Sequence, residues 1–197
     1  MESESDSESF NYVIFHKNCM DGFAGFIVLS NSGYIDNNAS IYPDVPSANN
    51  PPPNVTGKNV IIIDVAYKKH VLEQIFDKAQ RVVFIDHHQT IRNDVLELAT
   101  IYGDRHQVVY DVSMSGASLT WKYFNPKKKV PLFIRYIEDN DTGAWIHEPT
   151  MNFILGLQVN YRMDLSRKNI KHWNRLSDPR EVKRLIELGK KYSERKC

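Results

Sequence analysis

The sequence predicts an α/β fold, a parallel β-sheet flanked by helices, with a C-terminal helical extension. Short runs of β-branched and aromatic residues alternate with stretches in which apolar residues recur at helical spacing. That alternation is typical of sheets whose parallel strands are joined by helices. The most apolar runs, residues 60–63 and 82–85, have the length of a strand. They fall far below the ~18 residues of a membrane span, so we expect a globular protein without one.

Five segments are predicted to be strands. They are residues 12–16, 40–42, 60–65, 81–86 and 107–111. Residues 23–30 and 69–79, which lie between these segments, have helical spacing of apolar positions. Residues 43–57 contain five prolines and are expected to form a surface loop.

After residue 111 the predicted elements are helices. They cover residues 115–124 and 130–138 and two later segments within 149–197, and a polar loop is expected at residues 139–143. The last helix has a clear start, because Ser177 or Asp178 can serve as its N-cap and Pro179 fits its first turn.

Length and charge indicate one domain with a tail and an extension. The chain has 197 residues, of which 42% are hydrophobic, and this is sufficient for a core without disulfides. Its charge is balanced, with 25 Lys and Arg against 24 Asp and Glu. Residues 1–10 are rich in Ser, Asp and Glu and are expected to form a disordered acidic tail. Residues 11–146 form the α/β domain, and residues 147–197 form a helical extension or connector. Because the only cysteines are Cys19 and Cys197, a reducing, cytoplasmic compartment is expected.

Acidic and imidazole residues follow three of the predicted strands. His16 ends the first, Asp64 follows an apolar run, and Asp86, His87 and His88 follow another. The carboxyl ends of parallel strands meet at one edge of a sheet, where α/β proteins bind ligands. Carboxylates clustered there repel one another unless a cation lies between them. Carboxylate and imidazole groups without a cysteine cluster favour Mn²⁺ or a similar ion such as Mg²⁺.

Four ordered segments resemble the motifs of the DHH phosphoesterases. They are residues 15–22 (FHKNCMDG), 63–64 (ID), 85–88 (IDHH) and 138–143 (EDNDTG). This family includes RecJ-like exonucleases, nano-RNases, cyclic-dinucleotide phosphodiesterases, exopolyphosphatases and inorganic pyrophosphatases. The resemblance covers roughly residues 11–146 and extends to motif order and strand context.

The resemblance implies a centre with two Mn²⁺ ions that activate a water for attack on phosphorus. Asp64 would bridge the ions, with His16 on the first and Asp21 and His87 on the second. The fourth motif would complete the second site through Asp139, which we prefer here, or through Asp141. In the family the residue matching Asp86 orients the site, and the residue matching His88 contacts the substrate phosphate.

The first motif departs from the common family pattern at Cys19. Most members have an Asp there, although a subgroup of the family has Cys. Cys19 either coordinates as a thiolate, which would favour a softer ion such as Zn²⁺, or packs as a small apolar residue. Ser115 and Gly116 begin a predicted helix, so they either bind substrate phosphate through backbone N–H groups or only cap the helix.

The function predicted from the sequence is that of a metal-dependent phosphoesterase of the DHH type. Its substrate would be a phosphodiester, phosphomonoester or phosphoanhydride of a nucleotide or short single-stranded oligonucleotide, and an exonuclease is one form of this activity. From residue 162 onward twelve Lys or Arg stand against five Asp or Glu, which favours a phosphate-rich partner or reflects a solvated helix face. The alternative is a non-catalytic nucleotide- or phosphate-binding module that retains the fold. Residues 147–197 resemble the connector to a second, substrate-binding domain, so either the chain is cut short or this is a minimal form.

Overall fold

A five-stranded parallel sheet organises the protein. The computed structural model describes residues 9–194, and the strand order is β2-β1-β3-β4-β5 with every neighbouring pair parallel. The strands are β1 (Phe10–His16), β2 (Ile35–Asp44), β3 (Asn59–Ile63), β4 (Arg81–Asp86) and β5 (Gln107–Tyr110). The predicted α/β class is therefore confirmed. Residues 1–8 of the predicted acidic tail lie outside the described residues, and β1 begins within its last part, at Phe10.

Eight α-helices are present between residues 9 and 194. They are α1 (Met20–Ser30), α2 (Lys69–Lys78), α3 (Arg92–Tyr102), α4 (Gly116–Phe124), α5 (Leu132–Asp141), α6 (Thr150–Asn160), α7 (Arg167–Trp173) and α8 (Pro179–Glu194). None of the described helices combines the length and the apolar character that a membrane crossing requires.

The sheet is buried on both faces, as parallel sheets usually are. Because side chains alternate along a strand, each strand contributes to two separate cores. One core lies against α1, α4, α5 and the C-terminal helices and takes its strand residues from Val13, Phe15, Ile61, Ile63, Val83 and Ile85. The other lies against α2 and α3 and takes Tyr12, Ile14, Val60, Ile62, Val82 and Phe84.

Two predicted loops and two unpredicted helices, α3 and α7, differ from the sequence expectation. The helix α7 lies between the two C-terminal segments that were predicted to be helical. The strand β2 extends from Ile35 through Pro43, because it is an edge strand in which the missing N–H of proline is tolerated. The helix α5 continues through Asp141 into the predicted polar loop. Asp139 lies on its buried side, so tertiary contacts outweigh the low helix propensity of Asp and Asn. The helix α3 was not predicted, since only Val95 and Leu98 of it are buried.

The residues after 147 share the core of the α/β domain. Trp173 packs edge-to-face on Phe23 of α1 with ring centroids 4.9 Å apart, and α8 packs on α6. The two helices are so close that a Cβ on Gly189 would lie 1.7 Å from the Asn152 carbonyl oxygen, and one on Gly156 would lie 2.1 Å from that of Leu185. Glycine at both positions permits this backbone contact.

A buried carboxylate also fixes the start of α8. Glu181 accepts hydrogen bonds from the Tyr161 hydroxyl at 2.6 Å and from Arg184 at 2.7 and 2.9 Å, and Arg175 lies 3.3 Å away. The Arg184 guanidinium, against the opposing effect of burial, lowers the pKa of Glu181 to about 2. Glu181 therefore stabilises the fold in its ionised form.

Glu181→Gln is expected to lower the free energy of unfolding by about 1–2 kcal/mol at pH 7, because the arginines are partly exposed and screened. The folded-state pKa of Glu181 is depressed, so its contribution is present above the usual pKa of 4.5 and is lost as pH falls towards 2. In urea titrations, the difference in free energy of unfolding between wild type and Glu181→Gln should be smaller at pH 3.5 than at pH 7. Glu187→Gln, an exposed change on the same helix, is the matched control. A gap that stays constant with pH would contradict the prediction.

Candidate metal centre

The predicted site residues meet at the carboxyl edge of the sheet. His16 ends β1, Asp64 follows β3 directly, and Asp86 ends β4 and is followed by His87. These three strands are adjacent and parallel, so their ends converge. The start of α1 brings Asp21 to the same place, and the end of α5 brings Asp141.

Asp64 occupies the middle of this cluster. Its Oδ2 lies 3.4 Å from His16 Nδ1 and 3.3 Å from Cys19 Sγ, and its Oδ1 lies 3.1 Å from His87 Nε2. The side chain is 1% exposed. Its backbone has a φ of 63°, a left-handed conformation that Asp tolerates better than most residues. The two oxygens of Asp64 thus face different sets of neighbours, as a bridging ligand requires.

The N-terminus of α4 holds Asp21 in position. The Gly116 and Ala117 N–H groups donate to the two Asp21 oxygens at 2.6 and 3.0 Å. Glycine is required at two positions beside the cluster. A Cβ on Gly116 would lie 2.8 Å from Asp64 Cβ, and a Cβ on Gly22 would lie 2.7 Å from His16 Cβ. Burial and the nearby carboxylate of Asp64 raise the pKa of Asp21 well above its usual range.

The hydrogen bonds of Ser115 and Gly116 favour the helix-cap alternative over contact with a substrate phosphate. The Gly116 N–H is engaged by Asp21, and the Ser115 N–H donates to Glu138 Oε2 at 3.0 Å. The Ser115 hydroxyl accepts the Ser118 N–H, the ordinary N-cap of α4. Both residues are buried, so their donors stabilise the protein and cannot reach a substrate.

The preference for Asp139 in the fourth motif also needs correction. Asp139 points away from the cluster and accepts hydrogen bonds from the Ile146 N–H at 2.7 Å, the His147 N–H at 3.1 Å and the Thr150 hydroxyl at 2.5 Å. Asp141 lies two residues further along α5, and its Oδ2 is 3.2 Å from His87 Nε2. The structure therefore places the alternative residue, Asp141, at the centre.

Asp86 holds the ring of His88 in place. Asp86 Oδ1 accepts the backbone N–H groups of His87 and His88 and lies 2.9 Å from His88 Nδ1. Asp86 is fully buried, and its carboxylate raises the pKa of His88. With Nδ1 held by Asp86, the other ring nitrogen of His88, a half-buried side chain, is the one that can face a ligand.

The charges of the cluster fit a cation. His87 Nε2 lies within 3.6 Å of three carboxylates, those of Asp21, Asp64 and Asp141. One imidazole nitrogen carries a single hydrogen, so it cannot satisfy three acceptors. Burial opposes protonation of His87, but the hydrogen bond to Asp64 and the charges of the three carboxylates together outweigh it and raise the pKa of His87 to about 9. The hydrogen bond from His87 and the nearby imidazoles of His16 and His88 together overcome the burial of Asp64 and lower its pKa to about 2. The carboxylates and imidazoles in this arrangement could hold a divalent cation.

Three overlapping ligand groups are available within the described residues. They are His16 with Cys19 and Asp64, Asp64 with His87 and His88, and Asp21 with His87 and Asp141. Cys19 Sγ lies at the cluster, so its position is compatible with coordination of a metal ion as a thiolate. Burial raises the pKa of the free thiol, and the charge of Asp64 adds to this.

Sequence reasoning missed the residues that support the centre. Glu138 accepts a hydrogen bond from the Ser115 N–H, and the Thr150 hydroxyl donates one to Asp139. Tyr110 donates its hydroxyl to the His88 carbonyl oxygen at 2.8 Å. These contacts join separate elements, and no spacing in the sequence signals them.

Comparison with known proteins identifies a distant relative of unassigned function. The chain is 29% identical over 140 residues to an uncharacterised protein of Acanthamoeba polyphaga mimivirus, a match that covers 71% of this chain. The chain spans about a third of that protein, since the match covers 31% of its length. No protein-family profile matches the chain. No solved structure matches it either.

Proposed function

We propose that the protein is a metal-dependent phosphoesterase of the DHH type that acts on a nucleotide or a short oligonucleotide. The observation that carries the proposal is the convergence of His16, Asp21, Asp64, His87 and Asp141 at one sheet edge. These residues come from four separate segments, and a buried cluster of carboxylates is costly without a cation. Their order along the chain and their strand context also agree with the family motifs.

The geometry supports two adjacent cation sites. His16, Cys19 and Asp64 would hold one ion, and Asp21, Asp64, His87 and Asp141 would hold the other. A divalent pair supplies an activated water nucleophile and neutralises charge on phosphoryl oxygens. The carboxylates favour Mn²⁺ or Mg²⁺, whereas a thiolate at Cys19 would increase the affinity of the first site for Zn²⁺. Because Cys19 is a free thiol, we place the protein in a reducing, cytoplasmic compartment.

The residues of the chain itself have distinct roles in this proposal. Asp86 fixes the ring of His88, which then presents its second nitrogen to a phosphoryl oxygen of the substrate. The N-terminus of α4 keeps Asp21 oriented through two backbone donors. Asp139 anchors the segment after α5, so that Asp141 remains at the cluster.

Two exposed side chains that follow Asp141 by four and five residues favour a substrate with a nucleobase. Trp145 is 48% exposed and Ile146 is 75% exposed. Asp139 holds the Ile146 N–H, and Trp145 has a positive φ of 51°. A large aromatic side chain in this constrained conformation is suited to stacking on a base.

Trp145→Ala is expected to raise KM for a mononucleotide or dinucleotide substrate about 10-fold, because stacking contributes about 1–3 kcal/mol per base. The inhibition constant of pyrophosphate, which has no base to stack, should stay the same. Steady-state kinetics of the wild type, Trp145→Ala and Trp145→Phe measure both quantities, and the Phe variant should retain most of the affinity. An equal loss for pyrophosphate would show that Trp145 supports the site and does not select a base.

Hydrolysis assays with a substrate panel test the proposed function. The panel contains short oligonucleotides, 3′-phosphoadenosine 5′-phosphate, cyclic dinucleotides, polyphosphate and pyrophosphate, each with Mn²⁺, Mg²⁺ or Zn²⁺. We expect Mn²⁺-dependent phosphate or nucleotide release from at least one nucleotide substrate. If nothing is cleaved above an Asp64→Asn control, the protein is better described as the non-catalytic binding module.

A further inference from the structure

The surface around α7 carries an excess of positive charge. Between residues 162 and 175 the chain has five Lys or Arg and a single acid, Asp164. Asp164 is already engaged, because it accepts hydrogen bonds from the Ser166 N–H at 2.9 Å and from the Asn169 amide at 2.6 Å. The five cations are all exposed, and we call them, together with the partly buried His172, the α7 surface: Arg162, Arg167, Lys168, Lys171 and Arg175.

Three of these cations lie on one side of α7. Arg167 and Lys171 are four residues apart and Lys168 and Lys171 are three apart, which places their side chains next to one another on the helix. The opposite side of α7 packs against the core through Ile170 and Trp173. Like charges at these spacings repel each other and destabilise a helix, so the arrangement is unfavourable for the isolated protein.

The three cations have no counter-charge within the described part of the chain. None of them forms an ion pair with a carboxylate of residues 9–194, whereas Arg180 and Arg184 of α8 pair with Asp178 and Glu181 at 2.9 and 2.7 Å. Repulsion that the fold does not relieve is relieved by an external polyanion. The α7 surface is therefore complementary to a chain of phosphates.

Cations from neighbouring elements extend this surface around His172. Burial lowers the pKa of His172, and the positive charges of Arg175, Arg184 and Lys168 lower it further, against the opposing charge of Glu181. Cations from α7, from the turn that follows it and from α8 thus act on the same imidazole. The positive potential is not confined to one side chain, as recognition of a polyanion requires.

The α7 surface is separate from the metal centre. Asn174, just after α7, accepts a hydrogen bond at 2.8 Å from Asn31, which follows the end of α1. Asp21 is near the start of α1, and at 1.5 Å per residue the two positions on this helix are roughly 15 Å apart. None of the ligand groups of the metal cluster contains a residue of the α7 surface.

We propose that the α7 surface binds the phosphate backbone of a single-stranded nucleic acid, without regard to base sequence. Lys and Arg side chains that neutralise phosphates supply the affinity of such binding. A membrane is a less suitable partner, because helices that lie on membranes expose an apolar face, whereas Ile170 and Trp173 of α7 pack against the core. The choice of a single strand rests on the proposed function, but the binding itself needs neither metal ions nor hydrolysis.

Fluorescence anisotropy with a fluorescein-labelled 20-nucleotide oligothymidylate tests the proposal on the full chain, in EDTA so that no hydrolysis occurs. The wild type should bind saturably, with a Kd of about 1–100 µM at 0.15 M salt. Lys168→Gln/Lys171→Gln is expected to weaken binding about 10-fold at this salt concentration. The slope of log Kd against log salt concentration should also decrease by about 1.4, because each phosphate contact with a single strand contributes about 0.7. Both lysines are exposed, so the fold should persist.

A matched double variant separates a local surface from net charge. Lys58→Gln/Lys78→Gln removes the same charge beside the end of α2, which packs on the other face of the sheet, and this variant should bind like the wild type. Equal losses in the two double variants would overturn the proposal, because binding would then depend on net charge alone. Absence of saturable binding by the wild type would overturn it as well.

Sedimentation with phosphatidylserine vesicles tests the membrane as the alternative partner. We expect the wild type to remain in the supernatant. Sedimentation of the wild type with the vesicles, lost in Lys168→Gln/Lys171→Gln, would assign the surface to a membrane and overturn the proposal. Because every measurement is made without metal ions, failure here leaves the proposed phosphoesterase activity unaffected, and failure of the hydrolysis assays leaves the binding result unaffected.

Discussion

Replacing Asp64 with Asn is expected to reduce hydrolysis about 10³-fold or more in the presence of Mn²⁺. The two oxygens of Asp64 face His16 and Cys19 on one side and His87 on the other. An amide would remove the negative charge and one of the acceptor oxygens, so neither cation site would keep its shared ligand. The fold should persist, because Asn has nearly the same shape and also tolerates the left-handed backbone at this position.

The measurement is kcat/KM on the substrate that the wild type cleaves, together with Mn²⁺ binding by calorimetry. Asp111→Asn is a suitable control, because Asp111 also follows a strand of the same sheet but its side chain accepts hydrogen bonds from Ser113 and from no residue of the cluster. The control should keep full activity. An Asp64→Asn protein that still turned over at a tenth of the wild-type rate would exclude Asp64 as a bridging ligand.

Gly189→Ala is expected to destabilise the protein by about 3 kcal/mol or more. The added Cβ would lie 1.7 Å from the Asn152 carbonyl oxygen, which belongs to the backbone of α6 and cannot rotate away. The helices α6 and α8 must therefore separate, and the buried contacts of Val182 and Leu185 with the core would weaken. The better helix propensity of Ala, about 1 kcal/mol, offsets only part of this loss.

Thermal denaturation followed by circular dichroism should show a Tm lower by roughly 6–12 °C for a chain of this size. Lys190→Ala, an exposed substitution at the next position of the same helix, should change Tm little. A Tm of Gly189→Ala within a degree of the wild type would mean that the two helices can move apart at low cost.

The sequence was informative wherever a local pattern determined the structure. Apolar runs located β3 and β4 to within two residues, and the polar residues that follow them marked the sheet edge where the cluster forms. Ser115 could be recognised as the first residue before a helix, because its cap is a local contact. The residues that orient the site could not be recognised in this way. Whether Asp139 or Asp141 reaches His87 depends on the rotation of α5, which the contact of Asp139 with Thr150 in the next helix fixes.

Contacts between helices were also not predictable from local sequence patterns. The N-terminus of α4 looked like a phosphate site, and only the packing of α1 reveals that Asp21 already uses its donors. Gly156 and Gly189 gave no signal, because a glycine inside a helix has no local meaning until its partner helix is known.

If the cluster binds metal as proposed, assembly of its ligands from distant parts of the chain makes the stability of the fold depend on the supply of cations. An unfolded chain disperses Asp21, Asp64 and Asp141 and has no comparable affinity for an ion, whereas the native state gathers them beside His87. Ligands that prefer the native state shift the unfolding equilibrium towards it in proportion to their saturation. Divalent cations would accordingly act as conformational stabilisers, and chelators would shorten the lifetime of the native protein before any substrate is involved.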